Sequence, residues 1–231
     1  MNSSDTTTTT RLLTALGLAA ACASPAPAPA SAPPIPSGII EEVQDMAEDD
    51  QRWEQLVMEG DPASREPGFF DDKDALQDQR GERCREIFET YGLPTPERVG
   101  EDAAGDFWVL VQHDDRHPDF QASVLKAIRA LPKGTFDSRE EALLVDRVRI
   151  NTGGLQVYGS QTDYDMETGR AFPKPLEDPA EVDARRAAVG LDPLWKYMNG
   201  MCELQFMMNE AFFAEKGIEE AWAYPAGFTD W

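Results

Sequence analysis

Beyond about residue 38, apolar residues recur at three- and four-residue spacing along most of the chain, the period of helices that bury one face. Ile39, Val43, Met46, Trp53, Leu56 and Val57 mark a first amphipathic helix with an acidic outer face. A connector over 60–70 leads to a second helix over 71–91, with Leu76, Cys84, Ile87, Phe88 and Tyr91 inward; Gly92 and Pro94 end it. Residues 95–100 read as a loop. A third helix is expected over 101–112, where residues 107–111 are apolar all round; a buried strand is the alternative for that short run. Pro118 suits the first turn of a fourth helix, whose inward face is Phe120, Val124, Leu125, Ile128 and Leu131. Ser138 and Glu141 have capping-box spacing and open a fifth through Leu143, Leu144 and Val148.

The helical period lapses at 151–154. Residues 155–161, LQVYGSQ, alternate and are rich in strand formers, so they are expected to pair with 171–173 as a hairpin around a loop at 162–169. Asp178 and Pro179 place a cap and a first-turn proline ahead of a helix through Val182 and Arg186. A last long helix is expected over 194–216. The fold class is therefore mainly α: a single globular helical domain, 39–231, with one short β-hairpin.

The start of the chain has a different composition. Residues 1–21 read as a signal peptide, with Arg11 as a thin positive region and a short apolar run at 12–21. The stretch LGLAAAC, ending at Cys22, resembles the lipobox of bacterial lipoproteins. That resemblance implies cleavage before Cys22 and acylation of the new N-terminus. Leu18 sits one place further from the cysteine than the usual pattern, and an ordinary signal peptide cut near Ala21 or Ala23 is the alternative. Residues 22–38 form a Pro/Ala-rich tether; SPAPAPASAPPIPS favours extended polyproline II and makes a semi-rigid spacer. No apolar run approaches the roughly 20 residues that span a bilayer as a helix. Membrane contact is expected only through a lipid anchor at Cys22, on an exported lipoprotein of the bacterial cell envelope; a secreted or periplasmic soluble protein is the alternative.

Charge narrows the partners. The net charge of −22 repels phosphate backbones, so nucleic acid is not expected as a partner. Cys84 and Cys202 both fall in apolar helical patterns. They are read either as a disulfide of an oxidising compartment or as two buried thiols.

Candidate chemistry concentrates in residues 112–121, QHDDRHPDFQ, which hold both histidines of the chain. His113 follows an apolar helix beside carboxylates, an arrangement that suits a general acid or base, with Asp115 as its partner. The plainer reading is a histidine that caps a helix C-terminus. His113, Asp115, His117 and Asp119 alternate, a spacing that shares a face on a strand and not on a helix, so no metal and no cofactor are expected. Pro118 makes the stretch a corner between helices and His117 a surface residue. Further along, Arg147 beside Asp146 could clamp an anionic group, or form an ion pair between helices. Gln156 and Tyr158 would share one strand face, and Gly159 marks a tight turn. Ser160 lies in no GxSxG elbow.

Several of these segments occur together in an order that resembles a family of bacterial domains of unknown function, number 6624. They are YGLPT (91–95), VQHDD (111–115), Asp146-Arg147, QVYGSQ (156–161) and DARRAAVGL (183–191). The resemblance covers about 48–197. Asp114 departs from a family tendency to a small residue, and Ser160 from threonine. The resemblance implies that Gln112, His113, Asp115, Asp146, Arg147, Gln156, Tyr158, Gly159 and Gln161 form one set, and implies no activity.

Two functions fit. In one, an envelope domain binds or processes a polar ligand, with His113 and Asp115 catalytic and Gln112, Arg147, Gln156, Tyr158 and Gln161 binding. In the other, a non-catalytic structural or protein-interaction module, with an envelope protein as partner, holds the same residues as a buried polar network.

Overall fold

In a computed structural model, which describes residues 32–231, the amphipathic segments fold as helices in the expected order. The expected signal peptide, Cys22 and most of the tether lie outside the described residues. Helix α1 (Ser37–Met58) begins two residues before the expected Ile39. Helix α2 (Phe69–Tyr91) follows a 3₁₀ turn at Pro62–Arg65, and α4 (Glu101–His113), α5 (Pro118–Arg129) and α6 (Ser138–Asn151) come next. The apolar run 107–111 is helix, not strand. Residues 95–100 hold a single helical turn, α3 (Pro96–Val99), where a plain loop was expected. Helix α6 is capped by Asp137, whose side chain accepts from the Arg139 amide at 2.8 Å. That replaces the Ser138–Glu141 box, and Glu141 instead pairs with Arg129.

The larger core lies among α1, α2, α4, α5 and α6, around Ile87, Phe107, Val111, Phe120, Val124 and Leu144. Cys84 is buried in this core. A second apolar cluster forms around Ala171, Val182, Leu194, Met198 and Cys202. The two cysteines are free thiols in separate clusters, so they do not form a disulfide. Burial pushes both thiols up from their ordinary values, which keeps them protonated and unreactive.

The hairpin is displaced from its expected place. The antiparallel strands are β1 (Thr162–Asp165) and β2 (Arg170–Pro173), so the loop expected at 162–169 supplies the first strand. Residues 155–161 make only an isolated bridge, Gln156 with Leu176. Their backbone is held by side chains. The buried Asp146 carboxylate accepts from the amides of Val157 (2.6 Å), Tyr158 (3.0 Å) and Ser160 (2.9 Å). The carbonyls of Val157 and Tyr158 accept from Arg185 (2.7 Å) and Arg186 (2.6 Å). With its donors and acceptors satisfied in this way, the segment has no need of a ladder. Gly159 turns at φ +71°, and a Cβ there would collide with Leu194.

Helix α7 (Val182–Ala188) follows a 3₁₀ turn at Pro179–Glu181. Asp178 precedes that turn with φ 44° and makes no side-chain cap. The expected last helix is two: α8 (Leu194–Met208) and α9 (Glu210–Glu215), broken at Asn209. The chain end then returns across α8, where Asn199 pairs with both backbone groups of Tyr224, and the Tyr224 hydroxyl donates to the Ala171 carbonyl at 2.7 Å. No helix among the described residues is long and apolar enough to cross a membrane.

Candidate functional site

Helix α4 ends at His113, and its last turn carries Gln112 and His113 to the seam between the two apolar clusters. The partner of His113 comes from α1. His113 Nδ1 lies 2.6 Å from Asp50 Oδ2, and Asp50 is only 1% exposed. Asp50 sits on the buried stripe of its helix, one and two turns beyond Ala47 and Val43. The Arg80 guanidinium, on the buried face of α2, supports the other oxygen at 3.3 Å and also binds Asp49. Asp50 thus bridges Arg80 and His113, and His113 is the most exposed of the three. A carboxylate on Nδ1 selects the tautomer in which Nε2 is left for a ligand.

Asp115, the expected partner of His113, lies elsewhere. Its carboxylate takes Arg147 Nη1 at 2.9 and 3.0 Å and Asn151 Nδ2 at 2.8 Å. Asn151 also donates to Gln121, whose own amide donates to the Val111 carbonyl. The bonds tie the corner after α4 to α6. His117, expected at the surface, is half-buried: its Nδ1 is 2.6 Å from Asp114 Oδ1. Asp114 is buried under Gly81 of α2, where any side chain would overlap its carboxylate. Burial holds the Asp114 carboxyl above its ordinary value, against the opposing pull of His117. Asp119 pairs with Arg85. The four alternating residues 113, 115, 117 and 119 thus face four different partners.

His113 and Arg147 form the wall between two open clefts. One, of about 420 Å³, is largely acidic, with Glu54, Asp74, Asp78, Asp114 and Asp115 in its lining. At its His113 wall, one carboxylate oxygen from each of the buried Asp50 and the cleft-lining Glu54 and a ring nitrogen of His113 lie within 4.8 Å of one another. These are legitimate metal ligands. Two of them already carry protein cations, however: Lys73 sits 2.7 Å from Glu54, and Arg80 is on Asp50. The second cleft, of about 460 Å³, opens toward α8 and is lined by Trp108, Gln112, His113, Arg147, Lys174 and Tyr197 among others. Ser160, Gln161 and Thr162 form its far edge. Tyr197 donates to the Ser160 carbonyl at 3.0 Å, and burial pushes its phenol up, so it stays a neutral donor.

The structure therefore brings His113, Gln112, Arg147 and Gln161 to one cleft. It does not bring Gln156 or Tyr158 there. Gln156 is fully buried and ties its own loop, bonding the Gln161 amide and the carbonyls of Gln161 and Lys174. Tyr158 packs on the larger core, and burial raises its phenol. The residues of the site that sequence reasoning missed are Asp50, Glu54, Arg80, Trp108 and Lys174. Asp50 and Arg80 did leave a signal, as charges in register with the apolar stripes Val43–Ala47 and Cys84–Ile87.

A family model described as a family of unknown function (DUF6624) matches residues 37–207, and the chain belongs to that family. No curated protein and no solved structure matches the chain.

Proposed function

We propose that this member of DUF6624 binds a polar ligand in the cleft between α4, α6 and α8 and moves a proton on it through His113. The observation that carries the reading is the 2.6 Å contact of His113 Nδ1 with a carboxylate that is 1% exposed and backed by an arginine. A histidine that merely capped a helix would need no such support. The ring is held in one orientation at the wall of an open cleft, which is what a general acid or base requires. Asp50 is the positioning residue. Asp115 acts one step further out, by holding Arg147.

The test compares the parent chain with His113→Asn, which keeps a donor for Asp50 and removes the titratable ring. Both are incubated with extracted small molecules of a bacterial envelope and followed by mass spectrometry. The reading expects compounds consumed by the parent and spared by the variant. Identical consumption profiles would reject it.

The second reading, a non-catalytic structural or interaction module, draws on Asp146 and Gln156, which are sealed and spend their bonds on their own loop. Under it, substitutions at His113 change stability and nothing else.

We also propose that the protein is exported and anchored by an acylated Cys22, a reading supported by Arg11, the apolar run that follows, LGLAAAC and the Pro/Ala tether. Labelled palmitate should enter the parent and not Cys22→Ser in a producing bacterium; labelling of neither would overturn the anchor.

A further inference from the structure

We infer that the α8-side cleft is an oxyanion site, built to take a carboxylate or phosphate group of the ligand. This rests on the reading above that the cleft holds a ligand, and it names that ligand's chemical class.

Three buried groups on residues that line the cleft have no hydrogen-bond partner among the described residues: Trp108 Nε1, Gln112 Nε2 and Arg147 Nε. All three are donors. Gln112 is 5% exposed and lines the cleft. A buried donor without an acceptor is costly, and native proteins rarely leave three on residues that line one cleft. Indole and guanidinium nitrogens can only donate, so Trp108 and Arg147 cannot pair with each other, whichever way the Gln112 amide faces. What satisfies the set is an acceptor with several lone pairs.

The charge at the site points the same way. The chain has 43 acidic residues against 21 basic ones, yet among the described residues no carboxylate lines this cleft. Arg147 and Lys174 do. Asp115 occupies Arg147 Nη1 and leaves the Nε edge, the side on which guanidinium offers parallel N–H groups to an oxyanion. Among the described residues Lys174 has only a long pairing, 3.8 Å to Asp163. The acidic cleft across the wall would repel the same group. An anion is thereby directed to the α8 side, next to His113.

The experiment is calorimetric titration of the purified chain with sodium phosphate in one arm and sodium succinate in the other, against sodium chloride at matched ionic strength. At least one oxyanion should bind saturably in the millimolar range or tighter, and chloride should not. The two arms separate a phosphate from a carboxylate ligand. Trp108→Phe and Gln112→Leu should each weaken binding about tenfold, the effect of losing one hydrogen bond to a charged group. Neither removes a hydrogen bond made among the described residues, so both should melt no lower than the parent, and they keep the test decisive if Arg147→Met fails to fold. Absence of saturable binding in both arms, or binding that both variants leave unchanged, overturns the inference. His113→Asn separates it from the proton-transfer reading. Oxyanion binding without His113-dependent turnover would sink that reading alone. His113-dependent turnover without oxyanion binding would sink the inference alone.

Discussion

Asp146 carries the sharpest prediction about stability. Its carboxylate is fully buried and accepts from three backbone amides, those of Val157, Tyr158 and Ser160, at 2.6–3.2 Å. Asp146→Ala removes the acceptor and leaves three amides without a partner. Each orphaned buried donor costs about 1–3 kcal/mol. Some relaxation toward solvent is expected, because Val157 and Tyr158 are only half-buried, so the net loss should be about 3–6 kcal/mol. That is a large share of the roughly 5–15 kcal/mol that holds a typical domain folded. Asp146→Asn keeps one carbonyl oxygen for Val157 and Tyr158 but sets an amide against the Ser160 N–H, and should cost about half as much. Urea denaturation followed by circular dichroism measures both. Hydrogen exchange supplies the local readout: protection of the three amides should fall before that of α4 or α6. A loss below about 1 kcal/mol for Asp146→Ala, or unchanged exchange at the three amides, would refute the argument that this carboxylate replaces a strand ladder. The consequence reaches the cleft, because Ser160, Gln161 and Thr162 form its edge.

Asp50→Ala removes the carboxylate between Arg80 and His113 and should cost about 3 kcal/mol, the lower end for breaking a buried pair, since Arg80 keeps Asp49. His113→Asn, which retains the donor, should cost under about 1 kcal/mol, while His113→Ala should cost more; a chemical denaturation series that reverses this order contradicts the geometry. Gly81→Ala places a methyl group on the Asp114 carboxylate and should destabilise by about 1–3 kcal/mol. Adding Asp114→Ala should relieve part of that, and strict additivity in the double-mutant cycle would show that the two do not touch. The raised Asp114 carboxyl has a defined pH signature. The folded chain holds this proton to higher pH than the unfolded chain does, so the group's contribution is present at low pH and is lost as pH rises through the folded value. Relative to Asp114→Asn, the parent should therefore lose stability as pH climbs from the ordinary carboxylate range through that value, and a flat difference across the range counts against it.

Much of the fold was legible in local pattern. Periodic apolar residues placed α1, α2, α4, α5 and α6 to within a few residues, because a helix needs only its own sequence to define which face is apolar. The long C-terminal helix was overextended, since the break at Asn209 carries no proline or glycine to announce it. The displaced hairpin is the more instructive case. The alternation of LQVYGSQ is real, but alternation reports only that side chains face opposite ways. It cannot report that a carboxylate on α6 and two arginines on α7 will satisfy that backbone and leave the ladder to residues 162–173.

The same division runs through the site. The sequence by itself determined where the histidines, the buried helical stripes and the Gly159 turn lie, and it placed charges at Asp50 and Arg80 in register with apolar faces. Which aspartate would hold His113 was beyond it. Asp114 and Asp115 are adjacent, yet they turn to His117 and Arg147, and the aspartate on the ring comes from 63 residues upstream. Only the packing of α1 on α4 decided that, because a buried charge takes whichever partner the helix contacts deliver. The donor-lined cleft has the same origin. Trp108, Gln112 and Arg147 belong to two helices whose spacing leaves their N–H groups unanswered, a property of the assembled seam that no stretch of the chain contains on its own.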